Sequence, residues 1–171
     1  LAFVITFLFI IISILLINLF LLPKNIKRNF LKKRINKANS ALEEGLFASV
    51  YGEKERVLKN YNLSKKYLKE TPLLLLLKLQ SNLMNGNEAD CFNTYKKMLN
   101  FSSSSPIAIR GLISLASKKK DQELFSNILS TSKIKKIPIS SFINDAFDFC
   151  FINNNWNILI DHIANRKKKD I

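Results

Sequence analysis

Histidine, cysteine, glycine and tryptophan are all scarce in this chain of 171 residues, and acids are outnumbered by bases, 13 to 27. With His162 as the single histidine, neither a Ser-His-Asp triad nor a paired-histidine metal site can be built. A packed or surface role suits His162 better than axial heme ligation, since no neighbouring residue supports a heme site. Cys91 and Cys150 lie far apart, with no Cys or His at ligand spacing, and read as small buried apolar residues. Four glycines, at 45, 52, 86 and 111, leave no Gly-x-Gly-x-x-Gly fingerprint for a dinucleotide. The carboxylates Glu43-Glu44, Glu53, Glu55, Asp145 and Asp148 fall on or beside Lys-rich helices and read as solvated faces. No enzymatic activity, metal or cofactor is expected.

Charge is absent altogether from residues 1–22, where only Thr6, Ser13 and Asn18 are polar. About 20 apolar residues at a rise of roughly 1.5 Å cross a bilayer core, so this run predicts a transmembrane helix. It lacks the basic start, short apolar stretch and small-residue cleavage site of a signal peptide. Lys24, Lys27, Arg28, Lys32, Lys33, Arg34 and Lys37 follow it, with no acid among them. Short basic flanks stay on the cytoplasmic side, which predicts a cytoplasmic domain beyond the anchor. The same collar would attract anionic headgroups. The reading divides the chain into an anchor (1–22), a basic juxtamembrane segment (23–37) and one helical domain (38–171). The chain opens on Leu1 and not Met, so it reads as a piece of a longer protein, with room for a preceding membrane segment. Net charge is +14, but much of it sits in the collar and in the tail Arg166-Lys167-Lys168-Lys169. The aromatics follow helical-core spacing and do not alternate with bases as a stacking platform would, so nucleic acid is not the expected partner.

Beyond the collar the chain reads as helix after helix, all-α, with a repeat of thirty-four residues. Helix-ending turns are expected at Gly52, Gly86, Lys120 and Asn154, and Pro72 and Pro106 mark helix starts at the same step. Apolar columns keep the register: Val57, Cys91, Phe125 and Leu159 five residues after each turn, and Tyr61, Tyr95, Leu129 and Ile163 nine after. Seven before stand Gly45, Leu79, Ile113 and Phe147. Two helices per thirty-four residues is the tetratricopeptide pattern, here about four repeats stacked as an α-α superhelical solenoid with one continuous core. The run Leu73 to Leu77, bracketed by Pro72 and Lys78, reads as a core helix covered on both sides and not as a second span. By repeat register the first helix of each unit lines a groove for protein partners. The candidate groove residues are Leu76, Gln80 and Met84, then Arg110, Ser114 and Lys118, then Asn144 and Asp148.

The order of these features resembles that of HemY-type proteins of proteobacteria. The apolar helix and basic stretch lead into Ala41-Leu42-Glu43-Glu44-Gly45-Leu46-Phe47-Ala48 and the turn Gly52-Glu53. Then come Pro72-Leu73-Leu74-Leu75, Asn85-Gly86-Asn87-Glu88-Ala89, and Asn154-Asn155-Trp156-Asn157 with Leu159 and Arg166-Lys167. The resemblance implies an inner-membrane protein with cytoplasmic tetratricopeptide repeats, tied to late heme (porphyrin) synthesis as a scaffold for its enzymes. The flavin-dependent protoporphyrinogen oxidase that shares the name is a different protein, and its glycine fingerprint is missing here. The family usually has two membrane helices and a longer repeat region, and a fragment explains both departures. Two other functions fit the same sequence: an inner-membrane assembly or quality-control adaptor with other clients, and a charge-driven binder of nucleic acid or anionic lipid.

Overall fold

Among the described residues, four of the five left-handed ones recur at a constant step along the chain. Backbone φ is +73° at Gly52, +68° at Gly86, +52° at Lys120 and +49° at Asn154, the four positions expected from the repeat. Glycine enters this region without steric cost and asparagine with little. Lys120 does so as the C-terminal cap of the helix before it, where its N–H donates to the Ser117 carbonyl at 3.1 Å and the Asp121 N–H to the Ala116 carbonyl at 2.9 Å. The computed structural model describes the backbone of residues 2–167 and the side chains of residues 3–16 and 28–164.

Among the described residues there are eight α-helices and one short 3-10 turn: α1 (Ala2–Val50), α2 (Lys54–Lys65), α3 (Pro72–Met84), α4 (Glu88–Met98), α5 (Ser105–Lys119), α6 (Gln122–Ile134), η1 (Ile139–Ser141), α7 (Ile143–Asn153) and α8 (Asn157–Lys167). The helix starts have local causes. The Leu74 N–H donates to Thr71 Oγ1 at 3.3 Å, the Asp90 N–H to Asn87 Oδ1 at 3.2 Å and the Leu124 N–H to Asp121 Oδ1 at 2.8 Å. Each bond satisfies an amide that the first turn leaves without a helical partner. Pro72 and Pro106 stand in the first turns of α3 and α5, as expected.

Consecutive helices pack as hairpins: α1 on α2 and α3, α3 on α4, α4 on α5, and α5 on α6 and α7, with α8 against α6. A first small core joins Leu42, Ala48, Val57, Leu74 and Leu77, and a larger one runs from Leu75 and Leu79 through Tyr95, Ile113 and Phe125 to Phe149 and Leu159. Helix α3 thus gives Leu74 and Leu77 to one core and Leu75 and Leu79 to the other, which is why its leucine run needs no lipid around it. The rings of Phe125 and Phe149 stack at 3.9 Å between centroids and tie α6 to α7. The column five residues after each turn is buried throughout. In the column nine after, Tyr95 and Leu129 are buried, while Tyr61 and Ile163 are half-buried. The column seven before fails at its last member. Phe147 is 44% exposed and only tilts towards Trp156, because Ala146, Phe149 and Cys150 fill the core and no described helix covers the outer face of α7.

Helix α1 runs unbroken through Pro23 and Gly45 and ends only before the left-handed turn at Gly52. The described side chains of its uncharged run, residues 3–16, are exposed almost all round. Among the described residues no helix is long and apolar enough to cross a membrane.

Candidate partner-binding site

Tyr95 shows how the repeat interior is closed. Its ring lies against Gly111 of α5, where an added methyl would overlap the ring and its hydroxyl. Only glycine lets α4 and α5 meet this closely. The ring, Leu83, Ser114 and Lys118 border a small cavity of about 140 Å³. Burial pushes the Tyr95 hydroxyl above its usual range and does the same to the thiols of Cys91 and Cys150, with nearby Asp90 and Glu88 adding to the effect at Cys91. These groups stay neutral near pH 7 and serve as core.

The eight expected groove residues differ in burial between α3 and the later helices. Leu76, Gln80 and Met84 on α3 are half-buried, and Leu76 and Met84 pack against the larger and smaller cores respectively. Arg110, Ser114, Lys118, Asn144 and Asp148 are exposed. Arg110 Nε donates to Asp145 Oδ2 at 2.8 Å, bridging α5 and α7, and Lys118 Nζ stands 3.5 Å from Glu88 Oε1. Of the seven collar residues, Arg28, Lys32, Lys33, Arg34 and Lys37 are exposed on α1. The side chains of Lys24 and Lys27 lie outside the described residues, as do those of the basic tail.

One apolar recess was not legible in the groove register. It is a cavity of about 620 Å³ between α1, the start of α3 and the α4–α5 turn, with walls of Leu42, Leu68, Leu73, Leu76, Met98 and Ile107. Leu73 and Ile107 face it while 55% and 44% exposed. A signal did exist. Asn39, Leu73 and Ile107 are thirty-four residues apart, the last two directly after the helix-starting prolines, and all three border the recess. Its lining is mostly apolar, with Asn39, Lys69, Thr71, Ser103 and Ser104 as its polar members. His162 is buried between α6 and α8, where it borders a separate cavity of about 390 Å³ with Asp161 and Lys133. Among the described residues no group of three His, Cys, Asp or Glu could hold a metal ion.

No curated protein and no solved structure matches the chain. The family described as HemY protein N-terminus matches residues 1–86, a span that takes in α1 to α3 and the turn at Gly86. It therefore covers the uncharged run, the collar and the α1 and α3 walls of the apolar recess, and the chain belongs to the HemY N-terminal family.

Proposed function

We propose that this protein is a membrane-anchored scaffold that binds protein partners, enzymes of late heme synthesis, and holds them at the cytoplasmic face of the bacterial inner membrane. Residues 1–22 form the anchor, the collar fixes the orientation, and the tetratricopeptide-like hairpins present the binding surface. The chain performs no reaction of its own. Its partners are proteins and membrane lipid, not nucleic acid. One observation carries the reading: a single helix, α1, joins an exposed uncharged run to a wall of an apolar recess at Leu42. Charge is missing where lipid would be met and apolar surface is kept where a partner would be met. Tethering raises the effective concentration of partners without chemistry from the tether. The heme assignment rests on the family and the class of client on the apolar recess.

The test uses the exposed recess residues. Leu73→Glu with Ile107→Glu should leave helicity unchanged and reduce capture of porphyrin-synthesis enzymes from detergent-solubilised membranes, with porphyrin intermediates building up in the cell. Unchanged capture and normal heme output would contradict the reading. Capture of envelope-assembly factors alone would move the function to the adaptor class.

A further inference from the structure

Helix α2 runs back along α1 towards the uncharged end. Ser64 Oγ donates to the Ala38 carbonyl at 3.0 Å, and the Arg34 guanidinium stands 5.6 Å from the centre of the Tyr67 ring. The α2–α3 turn therefore lies beside the stretch of α1 that carries Arg34 and Lys37. It adds Lys65, Lys66 and Lys69, all exposed. No acid stands between residues 24 and 42, and the turn's own Glu70 is held by Lys97 at 2.7 Å. Apolar surface is interleaved here too: Phe30 and Leu31 on α1 are exposed, and Tyr67 is half-buried. The far ends of the same hairpins are mixed in charge, with Glu53, Glu55, Glu88 and Asp90 standing among Lys54, Arg56 and Lys118. Helix dipoles favour acids at helix starts and lysines at helix ends, which accounts for part of this polarity. They do not account for a basic turn laid against an already basic helix, where like charges repel unless a third party neutralises them.

We propose that the α2–α3 turn is a second membrane contact, in which Lys65, Lys66 and Lys69 bind anionic lipid headgroups and set the tilt of the helical domain over the bilayer. The proposal rests on the anchor reading given above. Its geometry is consistent. At about 1.5 Å per residue, Arg34 lies roughly 18 Å along the helix from residue 22. The turn stands about 10 Å to the side of α1, the usual distance between packed helices. Tilting α1 by about 30°, within the range of spanning helices, lowers the turn to about 10 Å above the hydrocarbon edge. Extended lysine side chains then reach the headgroup layer, which is roughly 5–8 Å deep. Tyr67 is an aromatic of the kind that settles at such interfaces. Because Leu68 and Lys69 also line the apolar recess, docking would hold that recess open beside the membrane surface.

The experiment uses the full chain reconstituted in two kinds of vesicle, phosphatidylcholine alone and phosphatidylcholine with about a third phosphatidylglycerol. A membrane-impermeant amine reagent labels exposed lysines, and mass spectrometry reads each site. A lysine at an anionic surface gains about fivefold in partitioning. Labelling of Lys65, Lys66 and Lys69 should therefore fall several-fold in the anionic vesicles and recover in high salt, while Lys119 and Lys120 at the far edge stay unchanged. Lys65→Gln, Lys66→Gln and Lys69→Gln together should abolish the composition dependence of a fluorescence transfer signal between a far-edge label and the lipid. Equal labelling of the turn in both vesicles, or an equal fall at both edges, would overturn the docking surface. Extraction of the chain from phosphatidylcholine vesicles by alkaline wash would instead remove the anchor, and the docking with it.

Discussion

Replacing Gly111 with alanine isolates the contact that closes α4 against α5. A methyl there overlaps Cζ, Cε1 and the hydroxyl of Tyr95. Overpacking of this kind costs about 1–3 kcal/mol. The same change gains about 1 kcal/mol, because alanine is a better helix former than glycine in a helix interior. The net destabilisation should be about 0–2 kcal/mol. Leucine at position 95 lacks the overlapping atoms, so Tyr95→Leu should remove the penalty while carrying a cost of its own for the vacated space. In that background Gly111→Ala should be neutral or stabilising by up to about 1 kcal/mol, which makes the coupling between the two positions about 1–3 kcal/mol. Urea unfolding of the four proteins in detergent, followed by far-ultraviolet circular dichroism, measures all four corners. Equal effects of Gly111→Ala in both backgrounds would show that the ring does not meet α5 at this glycine.

Three further outcomes are expected. Cys91 and Cys150 should resist iodoacetamide in the folded chain at pH 8, and stability should fall as pH rises above the ordinary thiol value of 9.0, because their folded values are raised and unfolding then releases protons; rapid alkylation without unfolding, read by mass spectrometry, would refute this. Arg110→Glu should cost no more than about 1 kcal/mol, since its partnership with Asp145 is largely exposed, yet weaken partner capture, and a second change of Asp145→Arg should restore the bridge between α5 and α7. A reporter enzyme active only in the periplasm, fused after Ile171, should stay silent under the proposed orientation, in which the collar keeps the domain on the cytoplasmic side; strong activity would reverse the orientation.

The turns were legible because each needs a residue that tolerates positive φ or an exposed polar break, and such residues recur every thirty-four positions. A fifth left-handed residue, Lys136 at φ +54°, escaped the register. It closes α6, and Ile137 then turns into the core ahead of the short η1 turn, a long connection that the thirty-four-residue step does not require. Burial was legible wherever a following unit covers the column, and it failed at Phe147, where none of the described residues does. The binding surface was harder to read. Register could not show that Leu76 borders the recess or that Met84 packs against the first core. Nor could it show that Arg110 meets Asp145, thirty-five residues away on another helix. The recess draws its walls from α1, α3 and two turns, and only their packing creates it.

Tethering is the claim on which the functional account depends, and deletion of residues 1–22 tests it most directly. The shortened chain should fold, with helicity preserved from Ala38 onward, and should still capture its partner in solution. Expressed at native level in cells lacking the full chain, it should fail to support the pathway, and porphyrin intermediates should accumulate. Normal heme output from the anchorless chain would contradict the account.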